Sequence, residues 1–275
     1  MLDIIKVIIL GIVEGVTEWL PVSSTGHLIL VGDLLSPNLS KQFMEMFNVV
    51  IQLGAIMAVV VLYFHKLNPF SPKKNKKQKL MTWQIWVKVL IACVPAGIIG
   101  VLFDDVIDKI FYRPGVVAIM LVVYGVLFIV IENRNVNQEV RVHSISQLNI
   151  QMLLWIGFFQ MLALIPGTSR SGATIIGALI IGVSRSVAAE FTFFLAIPVM
   201  FGASFLKLLK FGLHFSGKEF GLLILGCLVS FGISVFAIKF LMQYIKNHDF
   251  KVFGWYRIVL GILIILSMLA KLIIG

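Results

Sequence analysis

Long apolar runs separated by short polar breaks dominate the chain. Ten apolar segments stand out, at about 4–20, 25–35, 43–64, 85–103, 115–131, 150–165, 172–183, 188–209, 220–244 and 254–274. Their hydrophobicity is continuous and does not alternate at every second residue, which predicts helices. Crossing the hydrocarbon core takes about 20 residues, and the segments at 25–35 and 172–183 fall short of it. Each follows a break rich in Pro, Gly, Ser and Thr: Pro21-Val22-Ser23-Ser24-Thr25-Gly26 and Pro166-Gly167-Thr168-Ser169-Arg170-Ser171-Gly172. A helix, a sharp polar break and a short helix predict a hairpin that returns to the side it entered from. Irregular backbone at that depth is tolerated only against protein or a cavity.

The two breaks belong to a weak internal repeat. A shift of 146 residues places Gly11-Ile12-Val13-Glu14 on Gly157-Phe158-Phe159-Gln160, Ser23 on Ser169, Thr25 on Ser171 and Gly26 on Gly172. Gln52-Leu53-Gly54-Ala55 roughly matches the stretch ending at Gly202-Ala203. The expected architecture is an all-α polytopic membrane protein forming one domain over 1–275. Six segments span and two re-entrant helix hairpins enter from opposite sides. Repeat one covers about 1–131 and repeat two about 150–274, with cytoplasmic loops at about 65–84 and 132–149.

Composition agrees with lipid as the solvent. Hydrophobic residues make up 59% and charged residues 13% of the 275, about half the charged share of a soluble domain. The net charge of +10 would raise nucleic acid in a soluble chain. Here a positive-inside bias explains it, and no nucleic-acid partner is expected. With the first hairpin entering from outside, fourteen basic residues fall inside, among them Lys73, Lys74, Lys76, Lys77, Lys79, Lys88 and Arg257. Eight fall outside, from Lys6 to Lys271, and Arg170 is left at a hairpin tip. The lysine run is read as an anchor loop with a further contact to anionic lipid. Asp104, Asp105 and Asp108 are expected in a solvated external loop. Cys93 and Cys227 have neither metal-ligand nor disulfide spacing.

Polar residues inside apolar segments are costly and mark candidate chemistry. Glu14 and Glu18 share one helix face, four residues apart. They suit metal binding, proton transfer or a buried ion pair. Ser23, Ser24 and Thr25 would cap the following short helix, whose N-terminus attracts anions. Gly26 allows close backbone approach, and His27 lies within reach. Arg170, between Ser169 and Ser171, needs an anionic partner: phosphate oxygens, or Glu14 or Glu18. Were the tips to meet, Arg170 and the hydroxyls of Ser23, Ser24, Thr25, Thr168, Ser169 and Ser171, with Gly172, would cradle a phosphate or diphosphate. Asn48, Gln52 and Gln160 are read first as interhelical hydrogen bonders.

The stretch Glu14-Gly15-Val16-Thr17-Glu18-Trp19-Leu20-Pro21-Val22-Ser23-Ser24-Thr25-Gly26-His27 resembles the first signature of the undecaprenyl-diphosphatase family, the bacitracin-resistance proteins. Leu164-Ile165-Pro166-Gly167-Thr168-Ser169-Arg170-Ser171-Gly172 resembles the second. The resemblance implies a multi-pass enzyme of the bacterial plasma membrane. It would hydrolyse undecaprenyl diphosphate to the monophosphate, recycle the lipid carrier of cell-wall synthesis and confer bacitracin resistance. It implies Glu14, Glu18, Ser24, His27 and Arg170 as catalytic positions. Ser24 is the candidate nucleophile with His27 assisting proton transfer, and direct water attack ordered by Glu18 is the alternative. Glu14 and Glu18 are the expected ligands of a divalent cation, Mg2+ or Ca2+. Expected partners are the lipid substrate and the bilayer, with homodimer formation left open.

A transporter competes with the enzyme, because paired re-entrant helices suit both. A histidine-nucleophile lipid phosphatase does not fit: after Arg170 no His occurs before His214 and no Asp before Asp249.

Overall fold

A computed structural model describes residues 2–111, 113–212 and 215–274, without the side chains of Asp104, Asp105, Asp108 and residues 271–274. The helices are α1 (Leu2–Thr17), α2 (Ser24–Leu35), α3 (Lys41–Leu62), the single turn α4 (Phe64–Leu67), α5 (Lys76–Phe111) and α6 (Pro114–Asn135). After a 3-10 turn (Ile145–Gln147) follow α7 (Ile150–Leu162), α8 (Arg170–Ile180), α9 (Arg185–Phe211), α10 (Gly217–Tyr244) and α11 (Lys251–Ile274). Among the described residues the only β pairing noted is an isolated bridge between Val142 and Val183. Helices α3, α5, α6, α9, α10 and α11 are long and apolar enough to cross a membrane, as the apolar runs predict. The chain is a multi-pass integral membrane protein. Helices α2 and α8, of 12 and 11 residues, reach only about 18 and 16 Å at 1.5 Å per residue, short of the roughly 30 Å hydrocarbon core.

Two expected loops need correction. The loop placed at 65–84 is largely helical: α4 ends at Leu67 and α5 begins at Lys76. Lysine and glutamine favour helix. Asn75 and Gln78 close the start, with Asn75 Oδ1 accepting from Gln78 N (2.9 Å) and Gln78 Oε1 from Asn75 N (3.0 Å). Lys74 is not a free anchor. Its Nζ donates to Lys66 O (3.2 Å), Asn68 O (2.9 Å) and Thr82 Oγ1 (2.7 Å), and desolvation holds its pKa below the usual lysine value. At its far end α5 continues through the expected external loop to Phe111. The solvation expected for Asp104, Asp105 and Asp108 concerns side chains outside the described residues, as does Lys271. In the connection after α6, Lys88 Nζ satisfies Ile145 O (2.9 Å), Ser146 O (2.6 Å) and Leu148 O (2.7 Å).

Small residues set the helix crossings. Helices α6 and α11 pack closely. A Cβ on Gly125 or on Gly254 would lie 2.7 Å from the other residue's carbonyl oxygen. Helix α3 packs on both α9 and α10, α1 on α10, and α7 on α5. Outward stripes remain apolar, as with Val87, Leu90, Val94, Ile98 and Val101 on α5. Their three- and four-residue spacing marks one helix face. Water would penalise so much exposed apolar area, whereas lipid chains do not.

Candidate functional site

The breaks before α2 and α8 are built alike. Ser23 caps α2 and Ser169 caps α8, both at positive φ (74° and 71°), a costly backbone region for a residue with a side chain. Ser23 Oγ accepts from Gly26 N (3.4 Å) and Ser169 Oγ from Gly172 N (3.2 Å). These caps occupy matched positions of the sequence repeat.

The two breaks meet. Glu18, at the end of the first helical arm, lies between a cation and a hydroxyl from different halves. Arg170 Nη2 donates to its Oε1 (2.9 Å) and Ser24 Oγ to its Oε2 (2.5 Å). Arg170 Nη1 donates to Thr192 O on α9 (3.0 Å), and its guanidinium lies 5.9 Å from the Trp19 ring centroid. Ser171 Oγ reaches Glu18 O (3.2 Å) and Leu20 O (3.4 Å), and lies beside Thr174, which hydrogen-bonds Thr192 (2.8 Å). Ser169 Oγ lies 3.1 Å from Ser171 Oγ. Six of the named polar residues, Glu18, Ser23, Ser24, Arg170, Ser169 and Ser171, thus share one small region. Thr25 is half-buried beside them.

Beside the breaks, both carboxylate oxygens of Glu14, Thr168 Oγ1 and Trp19 Nε1 are buried without hydrogen-bond partners, and Gln160 Oε1 and Ser230 Oγ are in the same state elsewhere among the described residues. Glu14 stands one turn before Glu18, whose amide donates to Glu14 O (3.0 Å). Orphaned polar atoms of this kind cost folding stability and call for an explanation. Gln160, the repeat mate of Glu14, donates to Ala92 O (3.4 Å), an interhelical bond of the expected kind, while Asn48 Oδ1 is unpartnered.

His27 reaches the first break through the break's own backbone. Its Nδ1 lies 2.7 Å from Ser23 O and its Nε2 2.7 Å from Tyr256 Oη. No hydrogen bond joins it to Ser24 among the described residues; the side chain bonded to Ser24 Oγ is Glu18.

Arg257, which the charge count assigns to the inner side, is completely buried between the breaks. It donates to Pro21 O (3.1 Å) in the first break and to Gly167 O and Thr168 O (both 2.8 Å) in the second. Leu121 O and Met120 O of α6 lie 3.5 Å away. Gly167, at φ 92°, and Gly172 keep room for this arrangement. A Cβ on Gly167 would meet Val117 O at 2.5 Å, and one on Gly172 would meet Arg257 Nη1 at 3.1 Å. At Gly26 a Cβ would meet only ordinary contacts, at 3.5 Å or more. The sole sequence signal for Arg257 was a charge seven residues inside an apolar helix, and Tyr256 gave none.

No cluster of three or more His, Cys, Asp or Glu suited to a metal occurs among the described residues. A separate cavity of about 320 Å³, lined by Glu132, Leu179, Arg185 and Ile245 among others, shares no residue with the site. Its Glu132 is fully paired, with Arg185 and with Phe250 N (3.0 Å).

The family model described as bacitracin resistance protein BacA matches residues 7–263. An undecaprenyl-diphosphatase of Desulfitobacterium hafniense is 58% identical, over 100% of this chain and 99% of its own. Proteins of the same name from Enterococcus faecalis and Acetivibrio thermocellus are each 61% identical. The first covers 94% of this chain and 95% of its own, the second 98% and 99%.

Proposed function

Because the chain belongs to the bacitracin resistance protein BacA family, we propose that it hydrolyses undecaprenyl diphosphate to undecaprenyl phosphate and inorganic phosphate. In the bacterial plasma membrane this returns the lipid carrier to cell-wall synthesis and confers bacitracin resistance. The observation that carries the mechanism is Glu18 held between Arg170 and Ser24. One carboxylate there meets a phosphate-binding cation and a nucleophilic hydroxyl at once.

Arg170 exchanges its bond with Glu18 for the terminal phosphate oxygens. The N-termini of α2 and α8, with Ser23, Thr25, Gly26, Thr168, Ser169, Ser171 and Gly172, complete the cradle. Ser24 Oγ attacks the terminal phosphorus as its proton passes to Glu18. The bond from phosphorus to the bridging oxygen breaks, and its electron pair leaves with undecaprenyl phosphate. Water then attacks the phosphoserine, and Glu18 returns its proton to Ser24 Oγ as inorganic phosphate departs. Positioning and fixed charge supply most of the acceleration.

Glu14 and Glu18 would hold a divalent cation, Mg2+ or Ca2+. The orphaned oxygens of Glu14 fit this, since Mg2+ commonly binds one or two carboxylates plus substrate phosphates. When bound, the cation neutralises diphosphate charge and favours departure of the leaving group. The two halves act as inverted repeats. The cross-half packing of α1 on α10 and α7 on α5, with the matched serine caps, supports that arrangement.

The test is phosphate release from undecaprenyl diphosphate by purified protein, with and without divalent cation, beside Glu18→Gln and Arg170→Ala. Release that both substitutions abolish in folded protein supports the reading. Trapping of phosphate on Ser24 distinguishes serine attack from direct water attack. Folded protein that binds the lipid and releases nothing would overturn hydrolysis in favour of transport.

A further inference from the structure

His27 and Tyr256 form a pair that the chemistry above leaves unused. A carbonyl oxygen only accepts, so the 2.7 Å contact to Ser23 O puts a proton on His27 Nδ1. In the neutral ring Nε2 then accepts from the Tyr256 hydroxyl, also at 2.7 Å. The two rings lie parallel within 7°, with centroids 5.6 Å apart. Both ring nitrogens are therefore spoken for, and neither faces Ser24.

What the imidazole holds is the strained turn. Ser23 is at φ 74°, and the His27 amide reaches Ser23 O at only 3.4 Å. The side chain supplies the short bond to that carbonyl, one residue before the nucleophile. Tyr256 is 47% exposed and His27 8%, so the phenol closes the pair from the rim of the site. Its neighbour Arg257 holds Pro21 O on the other flank of the same turn (3.1 Å). Two consecutive residues of α11 thus grip the first break from two sides.

We propose that Tyr256 is a positioning residue: its hydroxyl fixes the His27 ring, and through Nδ1 the ring fixes the Ser23 turn that presents Ser24 to Glu18. Only the kinetic consequence rests on the phosphatase reading. Loss of one such bond acts on geometry at the reacting hydroxyl, not on substrate binding, and changes kcat more than KM.

The experiment uses full-length protein labelled with 15N-histidine, His27 being assigned by the signal lost in His27→Gln. Wild type should show His27 as the Nδ1–H tautomer, with Nε2 shifted by an accepted hydrogen bond. Tyr256→Phe keeps the ring and removes the hydroxyl. The Nε2 resonance should move toward its unbonded position. The kcat for phosphate release should fall several-fold to about tenfold, with KM within about twofold. An Nε2–H tautomer in wild type, or an unchanged Nε2 resonance in the variant, overturns the proposal without reference to activity. So does an unchanged kcat in an active enzyme. Wild type that releases no phosphate overturns the functional reading alone, and the resonance measurement still decides the position of Tyr256.

Discussion

Replacing Arg257 by methionine should loosen both breaks together. The guanidinium is completely buried, pairs with no carboxylate among the described residues, and donates to three break carbonyls at 2.8–3.1 Å. Hydrogen bonds to a charged group contribute roughly 1.5–3 kcal/mol each, so the three together gain about 5–9 kcal/mol. Burying the cation costs several kcal/mol in return, and methionine avoids that cost while leaving Pro21 O, Gly167 O and Thr168 O without donors. The expected net loss is about 3–5 kcal/mol, or about 10 °C in melting temperature at roughly 2–4 °C per kcal/mol. Arg257→Lys retains the charge but presents three donors on one atom in place of a planar fork, and should lose about half as much. Thermal unfolding in detergent, followed by intrinsic fluorescence or by light scattering, reads both variants. An Arg257→Met melting temperature within about 2 °C of wild type would falsify the clamp.

The other predictions separate stability from activity. Thr168→Val removes an unpartnered buried hydroxyl, and Glu14→Gln removes the acidity of an unpartnered buried carboxyl group while keeping its shape. Both should melt at or above the wild-type temperature, while kcat/KM for phosphate release falls by at least about a hundredfold for Glu14→Gln. A clear drop in melting temperature would mark either residue as structural. Ser24→Ala should lower kcat at least about a thousandfold in folded protein, and residual activity near wild type would point to direct water attack. Gly125→Ala forces a methyl against Gly254 O and Ile258 and should cost about 1–3 kcal/mol. Equal melting of variant and wild type would show that the α6–α11 crossing can relax.

Much of the site is legible locally. Glu14 and Glu18, the serines of both breaks and Arg170 stand in apolar surroundings, where polar side chains are costly without a purpose. Their spacing along the chain already places them at helix ends. The ends of α5 are not legible for a related reason: polar residues such as Lys76 and Lys77 read as loop, yet lysine favours helix and the backbone bonds of α5 run on through them. His27 was identified, but its partner was not, because Tyr256 lies 229 residues away and tyrosine near a helix end reads as an ordinary interfacial residue.

The amino-acid order by itself determined what a lipid solvent enforces: six apolar helices of spanning length, shorter apolar helices on either side of two polar breaks, and the breaks themselves. Those features follow from hydropathy and from backbone hydrogen bonding within single segments. Only the tertiary structure decided which segments meet. It brought Arg170 to Glu18 across 152 residues, joined His27 to Tyr256, and buried Arg257 between the two breaks. Such contacts depend on helix crossings at Gly125, Gly254 and similar positions, whose close approach is a property of two surfaces together and is written in neither helix alone.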